Sequence, residues 1–113
     1  GTALVPEGVL RLKTNAMATD YRPIDEKCDC FVCLKYSRAH LHAAITKEPR
    51  AASLLTYHNI RHQMRLCKEM HEAILEKRFG KFVREYVRGQ FPDTNAIPGW
   101  VRDAMAMAEI PLE

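Results

Sequence analysis

Three cysteines fall within six residues, Cys28-Asp29-Cys30-Phe31-Val32-Cys33, and a fourth, Cys67, stands alone. Disulfides among the first three would close very small, strained rings. A metal site therefore fits the cluster better than a disulfide framework. Structural zinc takes four soft or borderline ligands in a tetrahedron, with Zn–S near ~2.3 Å and Zn–N near ~2.0 Å. One short loop can supply three thiolates, and the positive end of a helix starting near Leu34 lowers the cost of their charge. Histidine is the natural fourth ligand, and the chain has five. His40 lies roughly 10 Å along a helix from Cys33 at ~1.5 Å per residue, and His42 is worse placed. His71 is too far along the next helix. His58 and His62 lie near that helix's beginning, one turn apart on one face, and spacing does not choose between them. Three thiolates and one imidazole close the shell. That points to a structural zinc and away from a catalytic one, which keeps a position open for water. Coincidence in a reduced cytosolic protein is the bland alternative.

The elements that must carry these residues can be read from periodicity. Residues 3–13 suggest two short strands around a Pro-Glu-Gly turn. Residues 14–27 are polar and irregular, with Pro23 breaking any helix. One helix is expected over 34–47, with Leu34, Leu41 and Ile45 sharing a side. After Pro49 a long helix is expected over 51–78. Its stripe of Ile60, Met64, Cys67, His71 and Ile74 repeats at four, three, four and three, which makes Cys67 a small buried apolar residue and not a ligand. Gly80 is expected to end that helix. A shorter one follows over 81–91, with Phe82, Val83, Tyr86 and Val87 on its apolar face. A last helix is expected over 98–108, opened by Pro98 and carrying Trp100, Val101, Met105 and Met107. The expected fold is a small, mostly helical α+β piece stapled by zinc.

The chain has 113 residues, room for one modest domain. It begins with Gly1, and its first residues suggest the interior of something longer. No apolar run nears the ~20 residues of a membrane helix, and no secretory leader is present, so a soluble, intracellular, cytoplasmic protein is expected. The net charge is +3. Residues 50–90 hold nine Lys or Arg against four Asp or Glu, a balance that suits RNA and equally suits a solvated helix surface. Lys35, Arg38, Arg61 and Arg65 are the candidate RNA contacts. There is no Gly-rich phosphate loop and no Gly-x-Ser-x-Gly elbow, and nothing marks Asp25 and Glu26 as an acid/base pair.

The segments CDCFVC, KYSRAHLHA and TYHN together resemble the zinc subdomain of tRNA-guanine transglycosylases. That family shows Cys-x-Cys-x-x-Cys, a Ser-Arg-Ala helix start, and a Thr-x-His-Asn whose histidine completes the zinc site. Residue by residue, the resemblance names Cys28, Cys30, Cys33 and His58 as the metal ligands. GTALVPEGVLRL is similar to the strand pair near the end of the family's barrel, and EKRFGKFVREYV to its closing helix. The opening GTALVP and the tail look more like the family's eukaryotic catalytic subunit than its accessory subunit.

This resemblance implies a (β/α)8 TIM barrel with the zinc subdomain inserted near its C-terminal end, of which the chain is the C-terminal portion. Residues 1–27 would be end-of-barrel strands and linker, 28–78 the zinc-binding subdomain, and 79–113 the closing helices. It also implies replacement of guanine by queuine at the wobble position of certain tRNAs. In the family one aspartate forms a covalent intermediate with the RNA and a second handles protons. The nucleophile's motif lies just upstream of the Gly-Thr-Ala segment, so no catalytic residue is expected in this chain, and the piece alone is expected to be inactive. The helix after the last cysteine lies at the family's subunit interface, where its aromatic positions match Tyr36 and His40. Bacterial members pair with themselves and tend to carry bulkier aromatics and a second histidine, where this chain has His40 and Ala43. The eukaryotic catalytic subunit pairs with a related accessory chain, and association with the mitochondrial outer membrane enters by resemblance only. A free-standing zinc module that binds RNA or protein without chemistry is the contrasting reading.

Overall fold

The computed structural model describes residues 1–112. They form two units, one of Gly1–Arg65 and one that runs from Leu66 to the end of the described residues. The first opens with a hairpin of β1 (Thr2–Val5) and β2 (Gly8–Arg11), antiparallel, with Thr2 opposite Arg11 and Val5 opposite Gly8. Pro6 presets the turn, and Gly8 takes φ 133°, a conformation that strains any residue bearing a Cβ. The Leu12 N–H donates to the Gly1 carbonyl at 2.8 Å, extending the ladder. Pairing alternates along an antiparallel strand, so Gly1, Ala3 and Val5 face β2 with their backbone groups while those of Thr2 and Leu4 point to the opposite edge.

The expected helix over 34–47 is two helices. α1 (Phe31–Lys35) stops at Tyr36, and α2 (Arg38–Ile45) starts afresh behind Ser37, whose hydroxyl accepts the His40 N–H at 3.1 Å. A serine N-cap holds extended backbone and so interrupts what periodicity alone reads as continuous. The polar segment before the cysteines is pinned by Arg38. Its guanidinium donates to the Pro23 carbonyl, the Asp20 carboxylate and the Ile24 carbonyl, each at 3.0 Å. Backbone bonds from Arg38 to Arg22 and from Ala39 to Asp20 complete the seam. The core of this unit gathers Ala3, Val5, Leu12, Ile24, Val32, Leu41 and Leu55 around the three clustered cysteines.

The long helix α3 spans Pro49–Leu75; Pro49 opens it, since a first-turn residue has no helical N–H bond to lose. Its buried side carries Ala51, Leu55 and His58, not the apolar stripe. Ile60 lies two residues past His58, about 200° around the helix, and Ile60, Met64 and Ile74 are 57–63% exposed. Cys67 is exposed with them, which corrects its expected burial. Gly80 does not end α3 either. The stop is Lys77 at φ 58°, with the Arg78 N–H reaching the Ala73 carbonyl at 2.9 Å, a Schellman closure built without glycine.

In the second unit, α4 (Phe79–Gln90) and α5 (Gly99–Met107) follow. Ile97, Val101 and Met105 form their small core with Val83, Val87, Phe91, Ile110 and Leu112 around it. Trp100 and Met107 are exposed. Among the described residues no helix is long and apolar enough to cross a membrane.

Candidate metal centre

Cys28, Cys30, Cys33 and His58 are all buried, and their donor atoms lie within 4.8 Å of one another. The loop before α1 supplies two of the sulfurs and α1 itself the third. Cys30 is the N-cap of α1, its sulfur accepting the Cys33 N–H at 3.4 Å, while the Cys28 sulfur accepts the Cys30 N–H at 3.5 Å. The second of these bonds works against burial at Cys28 by favouring its thiolate form. The fourth donor arrives from α3, which returns past the loop with His58 on its buried side.

The Nδ1 atom of His58 lies 3.7, 3.5 and 3.3 Å from the sulfurs of Cys28, Cys30 and Cys33. A tetrahedron with Zn–S of ~2.3 Å and Zn–N of ~2.0 Å has S···N edges of about 3.5 Å. The spacing therefore fits a zinc-sized ion held by all four atoms, and a Cys3His donor set is one of the structural zinc combinations. Burial pushes the Cys28 and Cys33 thiols above their ordinary range. A cation placed among them favours the ionised form of these two sulfurs and offsets that burial.

The other ring nitrogen of His58 is also committed. Nε2 donates to the Leu4 carbonyl of β1 at 2.8 Å, which assigns the proton to Nε2 and leaves the Nδ1 lone pair facing the sulfurs. His62 stays outside the cluster, its ring centroid 6.4 Å from that of His58. His40 is exposed, and His42 donates from Nδ1 to the Leu12 carbonyl at 2.7 Å. The structure thus brings together the four residues that the resemblance names.

Three of the four candidate RNA contacts are engaged inside the fold. Arg38 spends its guanidinium on residues 20–24 as described. Arg61 pairs with Asp29 in the cysteine loop, and Arg65 donates to the Lys27 carbonyl at 3.0 Å. Lys35 sits over the Phe31 ring, 5.8 Å from its centroid. Tyr36 and His40 pack against each other at 5.1 Å between centroids, and Phe31 meets Tyr36 and Tyr57 edge-on at 5.9 and 5.3 Å. Phe31 and Tyr57 thus extend the aromatic pair that motif matching singled out. Each neighbours a ligand in sequence, Cys30 and His58, and that adjacency was the available signal.

A family model described as queuine tRNA-ribosyltransferase matches residues 1–92. Among curated relatives, a queuine tRNA-ribosyltransferase of Thermus thermophilus is 43% identical over 107 residues, covering 94% of this chain and 27% of the relative. The queuine tRNA-ribosyltransferase catalytic subunit of Caenorhabditis briggsae is 35% identical over 119 residues, covering 93% of this chain and 30% of the relative. A queuine tRNA-ribosyltransferase of Bacillus pumilus is 41% identical over 98 residues, covering 85% and 26%. The chain spans between a quarter and a third of the length of these relatives.

Proposed function

The chain belongs to the queuine tRNA-ribosyltransferase family, and we propose that it is the C-terminal, zinc-binding and subunit-interface part of an enzyme that exchanges guanine for queuine at the tRNA wobble position. The observation that carries this reading is the buried Cys3His cluster in a chain whose family match covers residues 1–92. Cys28, Cys30, Cys33 and His58 hold the ion. Zinc, when bound, ties the loop before α1 to α3 and supplies no reaction step. Residues 1–27 are strands and linker from the end of a TIM barrel, 28–78 the zinc subdomain, and 79–113 the closing helices.

No residue of this chain is assigned to the chemistry. The nucleophilic and proton-handling aspartates belong to the remainder of the protein, whose relatives are more than three times as long as the matched region. The substrates are tRNA and the queuine or guanine base. The partner is either a second copy or a related accessory subunit. The relatives include a nematode catalytic subunit, which supports the catalytic type of chain. Tyr36 and His40, with Phe31 and Tyr57 beside them, form the surface assigned to pairing.

The deciding experiment is zinc content per chain, by elemental analysis, for wild type, His58→Ala and His62→Ala. One zinc is expected in wild type and His62→Ala, and a depleted site in His58→Ala. A folded, reduced wild type without zinc would overturn the metal assignment.

A further inference from the structure

Adjacent to the ligand His58, Asn59 makes two long-range bonds to β1. Its Oδ1 accepts the Leu4 N–H at 2.8 Å, and its Nδ2 donates to the Thr2 carbonyl at 3.1 Å. The Leu4 carbonyl in turn accepts Nε2–H of His58 at 2.8 Å. Both backbone groups of Leu4 and the carbonyl of Thr2 are therefore taken by two consecutive residues of α3, on the edge of β1 that β2 leaves open. A peptide on a strand edge can rock about its flanking bonds, and the direction of its carbonyl rocks with it. Asn59 grips the strand at two points just before that carbonyl, the Thr2 C=O and the Leu4 N–H, and so sets the run of β1 into it.

We propose that Asn59 is a positioning residue of the metal centre: by clamping β1 it fixes the Leu4 carbonyl, which orients the His58 ring with Nδ1 toward the three sulfurs. The inference rests on the zinc reading above. A ligating histidine depends on the acceptor of its second N–H for tautomer, orientation and basicity, and losing such an outer partner costs ~10–100-fold in metal affinity. Here the outer partner is a backbone carbonyl, which no substitution removes, so control passes to the side chain that fixes the strand leading into it. The zinc site then includes strand β1, more than 50 residues from His58 and Asn59 in sequence.

The test compares the full chain as wild type, Asn59→Ala and Asn59→Asp. The aspartate keeps an acceptor for the Leu4 N–H and loses the donor to Thr2. Zinc affinity is read by competition with a chromophoric chelator, ligand geometry from the visible bands of the Co2+-loaded chain, and the His58 Nε2 proton by 15N NMR. Asn59→Ala is expected to weaken zinc binding about tenfold, alter the Co2+ bands and speed exchange of the Nε2 proton, with Asn59→Asp in between. Wild-type affinity and an unchanged Co2+ spectrum in Asn59→Ala, even with a lower melting temperature, would make Asn59 a structural tie only and overturn the proposal. If the alanine variant does not fold, Asn59→Asp decides by the same two readouts. A wild type that binds no zinc fails the metal assignment itself, a result separate from either outcome for Asn59.

Discussion

Cys28 and Cys33 are held neutral by burial, so a metal ion must displace protons to bind them. Raised thiol values mean that the proton is the competitor throughout the neutral range. Zinc affinity is therefore expected to fall as pH drops from 8 to 6.5, and loading the metal-free chain in weak buffer is expected to release protons. Chelator competition and a pH electrode read the two effects. The same shift gives the metal-free fold a second dependence. Thiols kept neutral by folding favour it below the ordinary thiol range, and that contribution is lost as pH rises through their raised values. At this scale the sequence was legible where donors are local. Cys28, Cys30 and Cys33 share one loop, and residue type plus spacing identifies them. His58 against His62 turned on the rotation of α3 relative to a distant loop, which periodicity does not contain, and only the motif distinguished them. The clamp by Asn59 required knowing which edge of β1 is free.

Asp20 shows how one side chain holds an element. The hydrogen bond from Arg22, with Arg38 behind it, keeps its carboxyl well below the usual carboxylate range. A depressed value in the fold contributes stability above the unfolded carboxylate's ~3.9, and that contribution is lost as pH falls through the lowered value. Asp20→Asn is expected to melt at a lower temperature than wild type at pH 7, with the gap closing below about pH 4; thermal unfolding followed by circular dichroism at both pH values checks it. The hairpin and the last two helices were legible because turn residues and short-range apolar spacing specify them. The break at Ser37 was not, because a cap competes with periodicity. The stripe of Ile60, Met64, Cys67, His71 and Ile74 is present as its spacing implies, but it is exposed, and Cys67 with it, against the burial expected of that cysteine. Amphipathic spacing says that a face is apolar, and only the packed chain says which face of α3 is covered.

For the whole molecule, the expectation is a supporting part without its own chemistry. The chain alone is expected to show no turnover in a guanine-exchange assay with tRNA; turnover would place catalytic groups within these residues. In the full-length protein, Tyr36→Ala is expected to lower the assembled mass at low concentration, because it removes the ring that bridges Phe31 and His40. Light scattering across a dilution series reads this, and an unchanged mass would detach the aromatic cluster from pairing. Family membership was legible from three short motifs, while the division of the described residues at Arg65, inside one helix, carried no sequence mark. The edge of β1 has one more consequence. A strand edge with free N–H and C=O groups is a template for intermolecular strand pairing, and here the Leu4 N–H, the Leu4 carbonyl and the Thr2 carbonyl are occupied by His58 and Asn59. The helix that carries His58 thereby also covers the open edge of the hairpin, so any change that frees α3 from β1 would bare a surface for strand pairing as well as loosen a loop.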